Sequence, residues 1–370
     1  MSPPSEQPSK LRIGVVGLGK MGLSHFSIVN AHPLTETVIC DASKYMLETI
    51  GRYTSNPIYT DFDDMLAKED LGALVVATPS KYHVDIVRKG LERGMAVFCE
   101  KPFTLDPAES YGLADQAEAA GVVNQVGYHY RYVGAFQEAA RILASGALGQ
   151  ATFAHAEAYG PVVLKPKRTT WRTSKSEGGG CLYDYAAHPI NLLNWYFGKP
   201  TAVTGTVLNS IFSSDTDDEV YATFQFESGL SAQLSVNWSD ESHRKMSTQI
   251  NVLGTNGRLY ADRQECRLFL REEHPDLPGY KAGWNTRYTT ELTRQSWFYL
   301  RGEEYSNQMD DFITAAATGA ACEVTNDFRS AAMTDDTIAD VLAGGAGAIT
   351  RAAPPPPKSG GWLSRVGLKG

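Results

Sequence analysis

Two side chains four residues apart could move a proton to or from a bound substrate. Asp184 and His188 follow a run of three glycines at 178–180, and a helical backbone would place both on one face. An imidazole titrates near neutral pH and can act as a general base beside a carboxylate. Pro189 would kink a continuous helix, or would require the helix to begin only shortly before it. A purely structural Asp–His pair has the same spacing, so the pattern alone leaves both interpretations open.

A lysine that follows a short apolar segment is the second chemical candidate. Glu100, Lys101 and Pro102 come directly after the apolar residues 96–99. Open α/β sheets bind ligands at the carboxyl ends of their strands, which makes this turn a candidate site; the ordinary alternative for Lys101 is a solvated loop lysine. Pro102 restricts the Lys101 backbone to extended conformations, and the bond between them could be cis. The turn after the apolar run 73–77, and the helix predicted to follow it, add three cofactor-binding candidates: Thr78, Pro79 and His83.

A glycine-rich segment indicates where a cofactor would bind. Residues 17–22 read G-x-G-x-x-G between an apolar run and a predicted helix. The first glycine would make a tight turn, the second would let a pyrophosphate approach, and the third would let helix and strand pack closely. An acidic residue 19 positions after the last glycine could hold ribose hydroxyls, and its charge would repel a 2′-phosphate, which favours NAD over NADP. An ordinary strand–helix turn with a capping aspartate, or a methyltransferase, would look similar. The predicted cofactor contacts are Gly17, Gly19, Lys20, Met21 and Asp41, with Thr78, Pro79, His83, Glu100 and Lys101 from the later turns.

A basic segment is the candidate for contact with the substrate. Residues 161–176 contain five basic side chains and no acidic one. The segment is either a solvated basic loop or a lid that contacts an anionic substrate group, such as a carboxylate or a nucleotide phosphate. The predicted substrate contacts are Tyr128, Arg131, Arg168, Trp171, Arg172, Asp184 and His188.

The elements that must position these side chains predict an α/β protein of two domains. Apolar runs alternate with helical patterns over residues 11–126, which predicts a doubly wound parallel sheet of the Rossmann type. Consecutive strand patterns over 201–300 predict a large, open, mainly antiparallel sheet in an α+β domain. We assign 1–10 to a flexible N-terminus, 11–126 to the dinucleotide-binding domain, 127–351 to a substrate-binding and oligomerisation domain, and 352–370 to a flexible Pro/Gly-rich tail.

Composition excludes several other classes of protein. The chain has 370 residues and a net charge of −8, which argues against general nucleic-acid binding. We see neither the apolar h-region of a signal peptide nor an apolar run of membrane-spanning length. Five scattered cysteines predict reduced thiols in a cytoplasmic protein. With no C-x-x-C and no H-E-x-x-H motif, no metal site is predicted.

Three motifs in order resemble the Gfo/Idh/MocA oxidoreductase family: the glycine loop at 17–22, Glu100-Lys101-Pro102, and the stretch from 178–180 to Asp184 and His188. The resemblance covers about residues 11–345. It implies a Rossmann domain followed by a domain with an open antiparallel sheet that often serves oligomerisation, here as a homodimer or homotetramer. It also implies that Lys101, Asp184 and His188 form the catalytic set. Pro189 and the segment 128–130, where relatives commonly have asparagine and phenylalanine, depart from the family pattern and bear on the identity of the substrate.

The resemblance and the motifs together predict an NAD(P)-dependent dehydrogenase. Its substrate would be a secondary alcohol of a sugar, a cyclitol, or an acidic or nucleotide-linked sugar derivative. His188 would take the hydroxyl proton, Lys101 would stabilise the charge on the oxygen, and Asp184 would bind substrate or orient the base. Two alternatives stay open: a non-catalytic NAD(P)-binding regulator of the same fold, and an NAD-dependent glycoside hydrolase that oxidises its substrate transiently. The dehydrogenase hypothesis requires Lys101 and His188 to converge in space.

Overall fold

The structure is a computed structural model of the chain, and it describes residues 10–165 and 171–345. The predicted flexible tail at 352–370, most of the predicted N-terminal segment, and Arg168 lie outside these ranges. The side chain of Trp171 is likewise outside the description.

The first sheet consists of six parallel strands covered by helices on both faces. The strands are β1 (Leu11–Val16), β2 (Thr35–Cys40), β3 (Ile58–Tyr59), β4 (Ala73–Val76), β5 (Ala96–Cys99) and β6 (Asn124–Val126). The helices are α1 (Lys20–Ala31), α2 (Lys44–Gly51), α3 (Phe62–Lys68), α4 (His83–Glu92) and α5 (Pro107–Ala120). The strand order is β3-β2-β1-β4-β5-β6, so the order reverses between β1 and β4. Ligands of doubly wound sheets bind in the crevice at this reversal.

Local sequence signals explain where these helices begin and end. Asp106 caps α5 by accepting the Ala108 N–H at 2.9 Å, and Pro107 occupies its first position. The helix ends at Gly121, whose φ of 62° is left-handed. Asp61 caps α3 in the same way. The predicted Rossmann domain is confirmed, because sequence pattern, capping and strand order agree.

The second sheet has eight strands and one open face. Its elements are α6 (Gly134–Ala144), β7 (Ala151–Tyr159), a π-helical turn (Leu182–Ala186), α7 (Ala187–Phe197), β8 (Ala202–Asn209), β9 (Glu219–Gln225), β10 (Ser231–Asn237), β11 (Ser247–Gly254), β12 (Gly257–Asp262), β13 (Glu265–Leu270) and β14 (Gly283–Tyr288). Their order is β14-β13-β12-β11-β7-β10-β9-β8, and within the described residues β7 and β10 make the single parallel pair. The predicted mainly antiparallel sheet is confirmed. The strand β14 forms one edge of the sheet and lies within the strand-rich segment 201–300.

Three C-terminal helices follow the second sheet: α8 (Thr289–Leu292), which packs on α6 and β14, and α9 (Glu303–Thr318) and α10 (Phe328–Gly344), which reach the first domain. Met309, Phe312 and Ile313 of α9 pack in the same core as Ile13 and Val15 of β1. The chain from 127 onward therefore does not form one separate domain, because α9 returns to cover the first sheet. α10 packs against α5, α7 and β8, which ties the two halves together.

A buried carboxyl group lies where α10 meets the first domain. Asp335 is 3% exposed, and its Oδ2 accepts the Thr104 N–H at 3.1 Å and the Ser110 hydroxyl at 2.7 Å. Burial raises the pKa of Asp335 to about 7. Its Oδ1 and the Tyr128 hydroxyl are both buried with no hydrogen-bond partner among the described residues.

We expect Asp335→Asn to stabilise the protein at alkaline pH. A carboxyl whose pKa is raised in the folded state favours folding when protonated, and this contribution is lost as pH rises from about 4 to 7. Asparagine keeps the acceptor for Thr104 and Ser110 and stays uncharged. The difference in unfolding free energy between the variant and wild type should therefore be about 2 kcal/mol more in favour of the variant at pH 8 than at pH 5. Urea denaturation at the two pH values measures this, and a difference that does not change with pH would contradict it.

The described part of the chain contains no helix both long and apolar enough to cross a bilayer. All five cysteines are free, and four of them are buried.

Candidate active site

The loop between β1 and α1 has the geometry to hold a pyrophosphate. Gly17 has a φ of 90°, and a Cβ there would lie 2.8 Å from the Ala77 backbone. A Cβ on Gly22 would lie 1.8 Å from the Gly17 carbonyl oxygen, whereas one on exposed Gly19 would meet nothing within 4 Å. The three glycines thus make the turn, the close helix packing and the open approach that the sequence predicted. Gly19 gives α1 no side-chain cap, so the N–H groups at this helix end can meet an anion.

Asp41 lies beside this loop at the end of β2. Its Oδ2 accepts the Leu18 N–H at 2.6 Å, and its Oδ1 accepts the Ser43 N–H at 2.7 Å. The half-buried carboxylate can still accept hydrogen bonds from ribose hydroxyls. Loop and carboxylate together fit a dinucleotide such as NAD.

The glycine loop permits a test that separates folding from cofactor binding. Gly19→Ala should leave the melting temperature unchanged and weaken NADH binding about tenfold, because its methyl group enters the pyrophosphate space. Gly22→Ala should instead cost about 2 kcal/mol of folding free energy, since its methyl group would overlap the Gly17 carbonyl. Gly112→Ala, on the exposed side of α5, is the matched control and should leave NADH affinity unchanged. Fluorescence titration and thermal denaturation measure both effects; wild-type NADH affinity in Gly19→Ala would exclude the assigned role of the loop.

His83 is buried between two loops and lies within hydrogen-bond distance of the backbone of both. It is 1% exposed. Its Nδ1 lies 3.1 Å from the carbonyl oxygens of Pro102 and Phe103, and its Nε2 lies 3.0 Å from that of Thr78. Burial lowers the pKa of His83. The ring therefore lies among three backbone carbonyl oxygens and positions these loops, and its predicted cofactor contact stays a prediction. Thr78 and the exposed Pro79 lie at the strand end, as expected.

Glu100 also has a positioning role that differs from the predicted cofactor contact. Its Oε1 lies 2.6 Å from His25 Nε2 on α1, and its Oε2 accepts the Lys101 N–H at 3.1 Å. Burial opposes ionisation of this carboxyl, but His25 and Lys101 outweigh it and keep the Glu100 pKa below its usual value. Glu100 thereby fixes the turn that carries Lys101. The Lys101–Pro102 bond is cis.

The side chain of Lys101 crosses to the second domain. Its Nζ donates to Asp184 Oδ1 at 2.7 Å and to the Asp184 carbonyl oxygen at 2.9 Å. Arg172, from the basic segment, donates from Nε to Asp184 Oδ2 at 3.0 Å. Burial opposes ionisation of Asp184, but these two cations outweigh it and hold its pKa below the usual value. The structure therefore brings together Lys101, Asp184 and Arg172, which lie far apart in the sequence.

A π-helical turn followed by α7 presents Asp184 and His188. Pro189 is the third residue of α7, and the π-helical turn runs directly into α7, so the helical backbone is continuous up to and through the proline. Asp217 Oδ2 accepts the Leu182 N–H at 2.7 Å and holds the start of the turn. Such π-helical turns are frequent at functional sites.

The His188 ring is surrounded by aromatic side chains and has little access to solvent. It is 4% exposed, and its Nδ1 is buried without a hydrogen-bond partner in the described ranges, which leaves Nε2 to reach a ligand. Its ring centre lies 4.8 Å from that of Tyr130 and 5.0 Å from that of His129. Burial lowers the pKa of His188 well below its usual value, and the charges of Lys101 and Arg263 lower it further. At neutral pH the imidazole is uncharged and able to accept a proton.

Two predicted substrate contacts belong to the core instead. Arg131 is 1% exposed; its Nε donates to Asn191 Oδ1 at 2.8 Å, and its guanidinium lies 5.4 Å from the Trp195 ring centre. Burial lowers its pKa to about 10. Tyr128 is equally buried behind His188, with its hydroxyl enclosed. The first turn after β6 is covered by α7 and α9, so both side chains are buried in the described structure, and their predicted substrate contacts stay predictions.

Several residues around His188 were missed by the sequence analysis. Tyr305 of α9 stacks on His129 with ring centres 4.3 Å apart, and its hydroxyl lies 3.2 Å from His129 Nε2. Arg263 lies over the Tyr130 ring and forms an ion pair with Glu304. No local motif marks these residues, since they come from the β12–β13 turn and a helix more than 100 positions after His188. Among the residues that the structure describes, no group of three or more His, Cys, Asp or Glu side chains could hold a metal ion.

Comparison with known proteins matches both halves of this architecture. A family model described as "Oxidoreductase family, NAD-binding Rossmann fold" matches residues 11–128, and one described as "GFO/IDH/MocA C-terminal domain" matches residues 136–260. The chain belongs to the Gfo/Idh/MocA oxidoreductase family. The resemblance seen in the three sequence motifs is thereby confirmed, and the first domain of this family member is an NAD-binding Rossmann domain.

Relatives within the family have different printed activities. A 2,7-anhydro-N-acetylneuraminate hydratase of Mediterraneibacter gnavus is 27% identical over 61% of this chain, which spans about three fifths (62%) of that relative. A scyllo-inositol 2-dehydrogenase (NAD(+)) of Bacillus subtilis is 26% identical over 68% of this chain and 73% of its own. Among solved structures, a levoglucosan dehydrogenase in complex with NADH has a TM-score of 0.80 at 23% identity and covers 91% of this chain and 97% of its own. That likeness shows the shared fold.

Proposed function

We propose that this oxidoreductase is an NAD-dependent dehydrogenase that oxidises a secondary alcohol of a sugar or cyclitol. The observation that carries the proposal is the contact of Lys101, from the carboxyl edge of the Rossmann sheet, with Asp184, four residues before His188. The Lys101 charge also lies close enough to His188 to lower the pKa of the imidazole. Relatives named as scyllo-inositol and levoglucosan dehydrogenases support this class of substrate. A regulator without turnover would not need a cation, a carboxylate and an uncharged imidazole in one place.

The chain supplies proton transfer and charge stabilisation. NAD held at the glycine loop and Asp41 would supply the acceptor for the hydride that leaves the substrate carbon. His188 takes the hydroxyl proton at Nε2, since its lowered pKa keeps it unprotonated at neutral pH. The Lys101 ammonium donates a hydrogen bond to the same oxygen and stabilises the negative charge that develops there. Asp184, held by Arg172, keeps Lys101 directed at this position.

The preference for NAD over NADP is part of the same proposal. Asp41 directs a carboxylate at the ribose-binding position, where a 2′-phosphate would meet like charge. The oxygens of Asp41 already order the glycine loop through Leu18 and the start of α2 through Ser43.

A second candidate function is that of an NAD-dependent enzyme that oxidises its substrate only transiently. The hydratase among the relatives favours it. In this candidate the hydride taken from the substrate would later be returned, so that elimination or hydration proceeds through a transient ketone. The same Lys101 and His188 would serve, since the first step is again oxidation of an alcohol. The two candidates differ in whether NADH accumulates.

The experiment is a substrate panel with the full chain and NAD. Cyclitols, anhydrosugars and sugar acids are incubated with the protein while NADH absorbance and product release are followed. Accumulation of NADH stoichiometric with a keto product supports the dehydrogenase. Product release without net NADH supports the second candidate, and stable cofactor binding with no conversion of any compound contradicts both.

We also infer that two or four copies of the chain associate through the open face of the second sheet. Aromatic side chains are exposed there, including Trp284 of the edge strand, which is 62% exposed. Light scattering during size-exclusion chromatography tests this, and a monomer at micromolar concentration would contradict it.

A further inference from the structure

A polar cavity of about 210 Å³ lies beside the candidate active site. Three cationic side chains line it, Lys245, Arg263 and Arg301, together with Glu303 and Glu304. Arg263 and Glu304 form an ion pair with each other. Within the described ranges neither Lys245 nor Arg301 forms an ion pair with an acidic side chain. The lining therefore carries a net positive charge, and Lys245 and Arg301 are the two cations able to bind an anionic ligand.

The backbone at Arg301 is held in an unusual conformation. Its φ of 66° makes it the one non-glycine residue with positive φ in the part of the chain that the structure describes. This conformation costs about 1 kcal/mol or more, and such strain clusters at binding sites and active sites. Here it sets the Arg301 guanidinium 5.6 Å from the Tyr305 ring centre, at the wall of the cavity. Gly302, which follows and also lines the cavity, leaves the N-terminal N–H groups of α9 without a side-chain cap.

Aromatic rings lie between the cations of this cavity and His188, one ring on one side and two on the other. The Tyr130 ring centre lies 5.6 Å from Arg263 Cζ and 4.8 Å from the His188 ring centre. On the other side, Tyr305 lies between Arg301 and His129, and His129 contacts His188. Arg263 therefore lies one ring away from His188, and Arg301 lies two rings away.

We propose that this cavity holds an anionic group of the substrate, so that the preferred substrates are sugars that bear a carboxylate or a phosphate. The proposal rests on the proposed dehydrogenase function. Lys245 and Arg301 donate charge-assisted hydrogen bonds to the anion, and Arg263 stays paired with Glu304. Arg172, predicted from the sequence as a contact for such a group, is instead engaged with Asp184.

The test measures binding to the NADH-loaded full chain by calorimetry, with glucuronate, glucose 6-phosphate and glucose as probes. We expect at least one of the two anions to bind tenfold more tightly than glucose. The two anions distinguish a carboxylate from a phosphate site. Lys245→Gln and Arg301→Gln should each weaken anion binding about tenfold and leave glucose binding unchanged. Arg244→Gln is the matched control, because Arg244 is exposed, adjacent in sequence and absent from the cavity lining.

Two outcomes would overturn the subsite. One is wild-type protein that binds neither anion more tightly than glucose; the other is Arg244→Gln weakening anion binding as much as the cavity variants. Should Arg301→Gln fail to fold, Lys245→Gln alone decides the matter. Binding is measured without turnover, so its outcome is independent of catalysis. If the protein oxidises neutral polyols but does not bind the anions preferentially, the subsite is overturned and the dehydrogenase proposal stays intact. Site-dependent anion binding without oxidation of any sugar supports the subsite and contradicts the dehydrogenase proposal.

Discussion

Lys101→Met should lower kcat by about 10²–10³-fold while NADH affinity stays near that of wild type. The substitution keeps most of the apolar stem and removes the ammonium that we place on the reacting oxygen. Loss of one such preorganised donor costs about 3–4 kcal/mol of transition-state stabilisation. Asp184 keeps its contact with Arg172, so the buried carboxylate is not left unpaired. Steady-state kinetics on the best substrate of the panel, with fluorescence titration of NADH, measures both quantities.

Lys81→Met provides the matched control for this variant. Lys81 is an exposed lysine of the first domain that also pairs across the domains, with Glu177 at 2.8 Å, but away from Asp184 and His188. Exposed ion pairs contribute little, and kcat should stay within about twofold of wild type. A Lys101→Met enzyme that retains more than a tenth of the wild-type kcat would refute the role of the ammonium.

The cofactor loop could be predicted from sequence because its requirements are local. Gly17 has a positive φ, and a Cβ on Gly22 would lie 1.8 Å from the Gly17 carbonyl oxygen, so both positions require glycine. The spacing of the glycines in the sequence therefore encodes the geometry of the loop directly. The caps at Asp61 and Asp106 were predictable for the same reason, since a side chain satisfies backbone groups two or three positions away.

The contact between Lys101 and Asp184 is not local, and only family resemblance grouped these residues in advance. They lie 83 positions apart and meet because β5 directs one turn at the start of α7. Whether a polar residue ends in the core or at the site depends on which later helices cover it. Arg131 and His83 illustrate this: both have polar groups suited to ligands, but in the structure these groups lie against α7 or a neighbouring loop.

The return of α9 to the first sheet was hidden for a related reason. Its apolar residues at 309, 312 and 313 show a helix with a buried side but do not say which sheet buries it. The same helix supplies Tyr305 against His129 and Glu304 against Arg263. Residues from the last third of the chain, which carries no recognisable motif, therefore complete the group of side chains around His188.

His188→Asn should lower kcat by about 10²–10⁴-fold and abolish the acid limb of the pH profile. A general base must be unprotonated, so alcohol oxidation by the wild-type enzyme falls as pH falls through the pKa of this group. Burial and the charges of Lys101 and Arg263 depress that pKa, which places the midpoint of the limb below 6.5. Asparagine cannot accept the proton at any pH in this range, and the residual rate should be flat. Measurements of kcat/KM from pH 5 to 9 test this.

His129→Asn is the matched control, because it removes a second buried imidazole whose ring centre lies 5.0 Å from that of His188. That variant should keep the acid limb, since its base is intact, even where the loss of stacking with Tyr305 alters KM. If the limb persists in His188→Asn and disappears in His129→Asn, the proton acceptor is the other imidazole. Reduction of the ketone separates the two further: it needs the protonated base, so the wild-type rate should fall as pH rises through the same pKa, and only the variant lacking the true base should lose that dependence.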